Sequence, residues 1–283
     1  MAITAQMVKE LREATGAGMA DCKKALEESN GNFEEAVEYL RKKGAASAAK
    51  RADKEANEGL VISKSTDDHK KAILVEITCE TDFVAKNSDF ISYAETVGDV
   101  LLNNDIDNVD DLMKFNTGSA TVEDLHNGIL AKFSEKITIN RISSMKSDGY
   151  IESYIHGGSK LGVLVDYSGA ISTVDQKQVA KDIAMQIAAM RPGYVTRDEV
   201  TTEILDKEKE IFIQQAIEEG KPADIAEKVA TGKIQKYYKE NCLVEQVFVK
   251  DSKKSVNDIL KDLSTSVGSE VKVNRFVRLA IGE

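Results

Sequence analysis

Two β-hairpins repeat in the middle of the chain with the same internal spacing. Gly59 opens GLVISK and, seventeen residues later, Glu76 closes ILVE; Gly149 opens GYIESY and, again seventeen residues later, Asp166 closes VLVD. Each unit has the pattern of strand, turn and strand, and an amphipathic helix follows each unit. We therefore predict an α+β fold with two repeated halves, each of which buries one face of a sheet under helices. A chance match of spacing is the alternative interpretation.

Further patterns complete the two predicted halves. In the helix after the second hairpin, Ile183, Ile187 and Met190 mark the apolar face. Apolar runs with strand or helix periodicity also precede the second hairpin and follow the charged segment described below. The elements predicted around the hairpins are helices over 90–102, 122–133, 179–190 and 255–263, and strands over 137–145, 243–249 and 271–281.

The first 54 residues differ from the rest of the chain in pattern and in charge. They predict three short helices: Thr4 caps the first, the second covers 19–28, and Asn32 caps a third over 33–43. Ten basic and nine acidic residues leave this segment at about +1, whereas the whole chain carries a net charge of −10. We predict a small helical bundle, followed by a solvated helical linker over 44–58.

Beyond Pro192 the chain becomes highly charged, with sparse apolar positions. Two helices are predicted over 201–219 and 223–240, because Gly220 is a typical C-terminal stop and Pro222 suits the first turn of the following helix. Two consecutive helices with so short a connection form an antiparallel hairpin. Their narrow apolar stripe covers one partner helix but not a full core, so we expect the hairpin to project from the body of the protein.

Composition and charge exclude several classes of protein. The pI near 5.1 argues against a sequence-independent nucleic-acid binder, whose affinity would come from lysines and arginines that neutralise phosphates. Cys22, Cys79 and Cys242 are far apart, which fits neither a disulfide framework nor a zinc site and indicates a reducing compartment. No apolar run approaches the ~20 residues that span a bilayer, and the N-terminus is charged, so a cytoplasmic protein is predicted.

No catalytic constellation is recognisable in the sequence. His69, His126 and His156 are dispersed, so a histidine cluster for metal binding or acid–base catalysis is not predicted. The stretch HGGSKLG over 156–162 lacks the spacing of a phosphate-binding loop and precedes a strand rather than a helix, which favours a hairpin turn. We predict neither a metal site nor a cofactor.

The stretch CETDFVAKN, which follows the apolar run AILVEIT, has three interpretations. Glu76, Glu80 and Asp82 supply the oxygen ligands of a divalent ion, as in a magnesium-dependent hydrolase. Alternatively, Asp82 caps the turn VAKN and Phe83 packs in the core. In the third interpretation Phe83 is an exposed aromatic at the centre of a protein interface, where it buries much area at a small entropic cost. The residues alone leave the choice open.

Long motifs in this sequence resemble those of the bacterial translation elongation factor Ts family. VKELREATGAGMADCKKALEESNGNFEEAVEYLRKKG matches the family's N-terminal signature, and CETDFVAKN matches its core signature. Further matches are SYIHGGSKLGVLV, GKPADIAEKVATGKI, EQVFVKD and the RFVR…GE ending. The resemblance therefore covers essentially the whole length of the chain.

This resemblance implies a guanine nucleotide exchange factor for elongation factor Tu, and no covalent chemistry. It implies a bundle over 1–54 that is UBA-like (ubiquitin-associated-like) and docks on the GTPase, a first core half over 55–140, and a second core half over 141–283. The helical hairpin, inserted at about 198–240, would be a coiled coil. The implied partner is elongation factor Tu, GDP-bound or nucleotide-free, in a heterodimer or a dimer of two heterodimers, without nucleic acid or membrane.

The resemblance also implies which residues meet the partner. Asp82 and Phe83, within the matched motif that runs from Thr81 to Val84, would enter the nucleotide domain of elongation factor Tu near its magnesium site. The other implied contacts are Leu11 and Met19 on the bundle and His156 and Val249 on the core. Some family members continue past the final GE into another helix, whose contact we expect to be absent here. An adaptor for ubiquitin-like modifiers is a further alternative, but it would leave the chain beyond residue 54 without a role.

Overall fold

The computed structural model describes residues 2–51 and 53–283, and in this part of the chain helices combine with small antiparallel sheets. This mixed architecture agrees with the predicted α+β class. Residue 52 of the predicted linker lies outside the described residues.

Three helices form the N-terminal bundle: α1 (Ala5–Thr15), α2 (Met19–Glu28) and α3 (Phe33–Lys50). Thr4 accepts a backbone amide at the start of α1 and Asn32 does so at the start of α3, so both predicted caps are confirmed. The third helix runs to Lys50 rather than ending at 43, which makes the first part of the predicted linker helical. The apolar side chains buried between the three helices are Val8, Leu11, Ala17, Cys22, Ala25, Leu26, Ala36 and Leu40.

The first sheet has the strand order β1-β2-β3, and all of its pairings are antiparallel. Apolar side chains from the long helix after the first hairpin pack on one face of this sheet. The elements of this part are β1 (Glu58–Ser65), β2 (Lys71–Cys79), α4 (Asp82–Ala85), α5 (Ser88–Asn103), α6 (Val109–Lys114), α7 (Val122–Phe133) and β3 (Thr138–Lys146).

The second sheet has the order β4-β5-β8, so its third strand comes from the C-terminal end of the chain. Two helices cover its outer face, and a two-stranded ribbon, β6-β7, lies beside them. The elements are β4 (Tyr150–His156), β5 (Leu161–Tyr167), α8 (Val174–Met190), α9 (Thr202–Glu218), α10 (Ala223–Asn241), β6 (Val247–Phe248), β7 (Asp251–Ser255), α11 (Val256–Val267) and β8 (Val273–Ala280).

The two sheets pack face to face, with helices on both outer sides. Alternate residues of each strand point to opposite faces, so the same strands line this inner layer and the two outer cores. Gly162 sits in the inner layer, where a Cβ would come within 2.7 Å of the Leu74 and Val61 side chains. The residues buried between the sheets are Val61, Ala72, Leu74, Met145, Ile151, Leu164 and Leu279.

Reciprocal hydrogen bonds connect the sheets about an approximate two-fold axis. In each of the two bonds, a backbone amide of one hairpin donates to a carbonyl in the turn of the other hairpin. The two donors, 61 and 151, are 90 positions apart, and so are the two acceptors, 69 and 159. At the axis itself, two serine hydroxyls of equivalent position meet 2.5 Å apart. The contacts are Val61 N to Ser159 O (2.6 Å), Ile151 N to His69 O (2.9 Å) and Ser63 Oγ to Ser153 Oγ.

A buried carboxylate marks the same place in each sheet. Glu76 and Asp166 both lie at a β-bulge of the central strand, where the register with the third strand shifts. Arg141 pairs with Glu76 from β3, and Arg275 lies 3.8 Å from Asp166 on β8. Each arginine also donates to a backbone carbonyl of the other sheet's third strand. The pairs therefore join strands within a sheet and link the two sheets.

The two glycines that open the hairpins are required by a close approach of the backbone. A Cβ on Gly59 would lie 2.1 Å from the carbonyl oxygen of Ile77, and one on Gly149 would lie 1.8 Å from that of Tyr167. Real Cβ atoms do not approach a carbonyl oxygen so closely, so any side chain at these positions would displace the strand opposite.

Three sequence predictions are corrected by the structure. The predicted strand over 243–249 is wrong, because Leu243–Glu245 form a 3₁₀ turn whose first two amides donate to the carbonyls of Tyr194 and Val195, and only Val247–Phe248 is strand. A boundary between residues 140 and 141 would cut β3, which belongs to the first sheet as far as Lys146. The helix predicted from 179 begins at Val174.

Helices α9 and α10 follow one another with a tight turn between them, and they pack on each other. Gly220 adopts a positive φ of 84° at the end of the first helix, as expected for a helix stop. Ala216, Ala226 and Ala230 are buried where the helices meet. Lys233 reaches back across the pair to Gln215 at 3.0 Å.

Candidate protein-docking site

The stretch CETDFVAKN forms a single helical turn between β2 and α5. Thr81 is the N-cap of this turn, α4: its backbone is extended and its Oγ1 accepts the amide of Val84 at 3.4 Å. The prediction that Asp82 is the cap is therefore wrong, since the threonine hydroxyl one residue earlier satisfies the free amide. Asn87 then caps α5, so two caps fix the path of the chain within seven residues.

Phe83 projects from this turn into solvent. The residue is 82% exposed, whereas Val84 and Ala85 are 6% and 5% exposed and pack in the core of the first sheet. The prediction that Phe83 is buried in the core is wrong, and the interpretation as an exposed aromatic agrees with the structure. Because the following two residues are anchored in the core, the ring stands on a fixed base rather than on a free loop.

Asp82 lies beside Phe83 and is paired within the same turn. Lys86 Nζ lies 2.6 Å from its carboxylate, and this hydrogen bond is the main reason that the pKa of Asp82 is below its usual range. A weaker contribution comes from Lys160, which lies in the turn of the second hairpin and bonds to Glu58 at 2.6 Å. The surface around Phe83 therefore carries charges of both signs and receives groups from both sheets.

Glu80 is bound by an arginine from the end of the N-terminal bundle. Arg51 donates two hydrogen bonds to its carboxylate, at 2.6 and 2.5 Å, and the amide of Lys136 donates a third at 2.6 Å. The bonds from Arg51 are the largest cause that lowers the pKa of Glu80 to about 2. Glu80, which precedes the cap Thr81, is thus hydrogen-bonded both to the residue that follows α3 and to the segment that leads into β3.

Thr81 is held by a second carboxylate. Glu135, between α7 and β3, accepts the Thr81 amide at 3.1 Å and its hydroxyl at 2.7 Å. The parts played by Glu135, Arg51 and Lys160 were not predictable from the sequence, because each is distant in sequence from the residue it contacts and no local spacing connects them.

The three carboxylates considered as a metal site do not form one. Each is paired with a cation: Glu76 with Arg141, Glu80 with Arg51, and Asp82 with Lys86. Among residues 2–51 and 53–283, no group of three histidine, cysteine, aspartate or glutamate side chains is arranged to hold a metal ion. The arrangement offers no open oxygen cage for a divalent ion, so the hydrolase interpretation loses its geometric basis.

The other predicted contact residues lie on separate elements. Leu11 is fully buried inside the bundle, so its predicted place on a docking surface is wrong: the side chain packs between the three helices. Met19 is half exposed at the start of α2, and Val249 is half exposed beside β6, where its amide donates to Gln186 at 2.8 Å. His156 is exposed at the end of β4, and its ring bonds to the Tyr154 hydroxyl at 2.6 Å.

The remaining histidine and glycine signals have structural explanations. Burial lowers the pKa of His126 to about 4, and its ring bonds to the hydroxyl of Tyr93 at 2.8 Å. His69 stacks on Tyr150 at a ring distance of 4.6 Å. In HGGSKLG, three successive residues, 157–159, have positive φ and form the turn between β4 and β5, which confirms the hairpin-turn interpretation. Cys22, Cys79 and Cys242 are all buried free thiols.

Comparison with known proteins identifies the family. A family model described as elongation factor TS matches residues 80–283, and a UBA-like domain model matches residues 4–46. The chain belongs to the elongation factor Ts family. Elongation factor Ts of Clostridium kluyveri is 47% identical over 99% of this chain and 93% of that protein, and that of Chlorobium phaeobacteroides is 45% identical over 99% of both. The UBA-like match coincides with the N-terminal bundle.

Over residues 2–51 and 53–283 of this elongation factor Ts chain, none of the helices combines the length and the hydropathy of a membrane-spanning segment.

Proposed function

We propose that this chain is a guanine nucleotide exchange factor for elongation factor Tu in translation elongation, and that it acts in the cytoplasm by binding rather than by covalent chemistry. Family membership supports the role, and the display of Phe83 carries the mechanism. An exposed aromatic residue on a short turn that lies between two helix caps is what an insertion into a partner requires.

In the proposed mechanism Phe83 enters the nucleotide domain of elongation factor Tu near its magnesium site. A GTPase holds GDP through a magnesium ion and through backbone amides at a helix N-terminus, so a wedge that shifts these groups raises the free energy of the bound nucleotide. Asp82, beside the ring, perturbs the magnesium ligands or pairs with a cation of the partner. Thr81 and Val84 support the turn as cap and as core anchor.

Burial of the ring sets the size of the effect. Fully burying a phenylalanine side chain is worth about 1.5–3 kcal/mol, and Phe83 is exposed over most of its surface before docking. Because binding is reciprocal, the factor by which this chain weakens GDP equals the factor by which GDP weakens this chain. GTP then rebinds and releases the exchange factor.

We also propose which parts of the chain contact the partner. The bundle over 1–54 docks on the GTPase through Met19, while the core contacts lie at His156 and Val249. Two core halves follow, with the break moved from 140 to the end of β3 at Lys146. The reciprocal hydrogen bonds between the sheets support a repeat of two halves. Helices α9 and α10 form a projecting coiled-coil hairpin, and one chain binds one elongation factor Tu, without nucleic acid.

The test is stopped-flow release of a fluorescent GDP analogue from purified elongation factor Tu. Wild type should accelerate release, and Phe83→Ala should lose roughly 10- to 100-fold of the acceleration, which corresponds to the burial of one ring. Val174→Ala is the matched control, because Val174 is an equally exposed apolar residue, at 83%, on the second sheet's side of the protein.

Each outcome of this experiment is informative. Full acceleration by Phe83→Ala would refute the wedge and leave Asp82 or the flanking contacts as the cause. No acceleration by wild type would refute the exchange function. The isolated protein should hydrolyse no nucleotide, with or without magnesium, and turnover that is lost in Glu80→Gln would establish the hydrolase alternative instead.

A further inference from the structure

The segment between α7 and β3 lies against the docking turn, the turn over 81–85 that carries Phe83, and binds both residues that precede Asp82. Glu135 accepts two hydrogen bonds from Thr81, one from the amide at 3.1 Å and one from the hydroxyl at 2.7 Å. The amide of the next residue, Lys136, donates to Glu80 at 2.6 Å. Two adjacent residues of a distant segment therefore hold two adjacent residues of the turn.

The bond from Thr81 to Glu135 determines how the cap works. A threonine hydroxyl has one hydrogen to donate and lone pairs to accept with. Since the hydrogen points to the Glu135 carboxylate, the lone pairs are left to face the amide of Val84, which donates to Thr81 Oγ1 at 3.4 Å. Glu135 thus orients the hydroxyl that starts the helical turn from which Phe83 projects.

We infer that Glu135 is a positioning residue: it holds Thr81 in the capping geometry and thereby fixes the direction in which Phe83 leaves the surface. This inference rests on the proposed function, in which Phe83 enters the GTPase. A ring that is already fixed in its bound direction loses less conformational entropy on binding than a ring on a mobile turn. In this role Glu135 acts through Thr81 and not through a contact with the partner.

The burial pattern separates this role from a general contribution to folding. Val84 and Ala85 anchor the far side of α4 in the core, whereas Thr81, Asp82 and Phe83 face the surface. Loss of the Glu135 carboxylate would therefore loosen the start of the turn and leave the apolar core of the first sheet in place. We expect a change in the order of the turn and in docking, with little change in global stability.

The test is a double-mutant cycle between Glu135→Gln and Phe83→Ala, measured by GDP release from elongation factor Tu. A glutamine at 135 presents an amide group to one of two Thr81 donors, so one hydrogen bond is lost. We expect Glu135→Gln to lower the acceleration about tenfold in the wild-type background, as for one charged hydrogen bond, and less than twofold in the Phe83→Ala background. Glu123→Gln, an exposed site on α7, is the matched control.

Hydrogen exchange of the free protein provides a readout that does not depend on the function. The amides of Thr81 and Val84 should exchange faster in Glu135→Gln, while amides of β2 and α5 remain unchanged. Thr81→Val should have the same effects as Glu135→Gln, because it removes both hydrogen bonds of the hydroxyl. Thr81→Ser keeps the hydroxyl and should behave like wild type. This pair keeps the inference testable if the Glu135 variant folds poorly.

The outcomes distinguish the inference from the proposed function. Unchanged exchange at Thr81 and Val84 would overturn the positioning role. An equal loss of acceleration in both backgrounds would also overturn it, because Glu135 would then act independently of Phe83. If wild type fails to accelerate GDP release, the proposed function fails and the inference about docking fails with it, whereas the hydrogen-exchange result still reports whether Glu135 orders the turn.

Discussion

Replacing Arg141 with methionine should destabilise the fold much more than the same change at Arg275. The two arginines occupy equivalent positions on the third strand of each sheet, and each faces a carboxylate at a β-bulge. Their partners differ, however. The side chain of Glu76 is 3% exposed and hydrogen-bonded to Arg141 Nε, whereas Arg275 Nε lies 3.8 Å from Asp166.

The loss of stability in each variant depends on which hydrogen-bond partners the carboxylate retains. Without Arg141, the Glu76 charge is left buried without the partner shown in the structure, and breaking such a pair costs about 3–5 kcal/mol. Arg141 also donates to the carbonyl of Ala280 at 2.9 Å, so the contact between the sheets weakens as well. Without Arg275, Asp166 keeps a hydrogen bond from Ser147 at 2.5 Å, and the loss should be about 1 kcal/mol.

Urea denaturation followed by circular dichroism measures the difference. The midpoint should fall much further for Arg141→Met than for Arg275→Met, with a gap in free energy of unfolding of about 2–4 kcal/mol between the two. Adding Glu76→Gln to Arg141→Met should recover part of the loss, because no unpaired charge remains. Equal losses for the two single variants, or no recovery in the double variant, would refute the argument that Glu76 depends on its arginine whereas Asp166 keeps Ser147 as a partner.

Two further predictions concern the docking turn and the hairpin glycine. Because the pKa of Glu80 is lowered from 4.5 to about 2, its ion pair contributes stability that is complete above pH 4.5 and is lost as the pH falls towards 2. Glu80→Gln should therefore remove about 2 kcal/mol of stability at pH 7 and make stability depend less on pH between 4.5 and 2, as measured by acid unfolding. Gly149→Ala should cost about 3 kcal/mol in thermal unfolding, because its Cβ would meet the Tyr167 carbonyl, whereas Gly157→Ala, which meets only the strain of a positive φ, should cost about 1–2 kcal/mol. Equal costs for the two glycines would contradict the steric reason.

Local signals predicted most elements of the fold, because caps, stops and the spacing of apolar residues are encoded within each element. Thr4 and Asn32 are caps, Gly220 is a stop, and the alternation of apolar residues around Gly59 and Gly149 predicts strands at the observed places. The prediction was wrong where contacts with a distant segment determine the local structure. The apolar run over 243–249 looks like a strand, yet the amide of Leu243 bonds to Tyr194 and the chain turns there.

The candidate site was only partly predictable for the same reason. The sequence singles out Asp82 and Phe83 but does not decide whether the ring is buried, since an apolar residue beside a strand end fits either outcome. The exposure of Phe83 depends on Thr81 and Val84, which fix the direction of the turn. Leu11 shows the converse: its motif is recognisable, but only the packing of three helices places its side chain inside.

The reciprocal contacts between the sheets have a consequence for how the chain is put together. Each sheet is complete with three strands, and each supplies a donor and an acceptor to the other, so the short crossing at 147–149 is not what holds the two sheets together. A scaffold assembled from two separate copies of one sheet and its helices would repeat every appended element. The continuous chain has, over residues 2–51 and 53–283, one helical bundle, one α9–α10 pair and one Phe83, so under the proposed function it offers one aromatic ring to one elongation factor Tu.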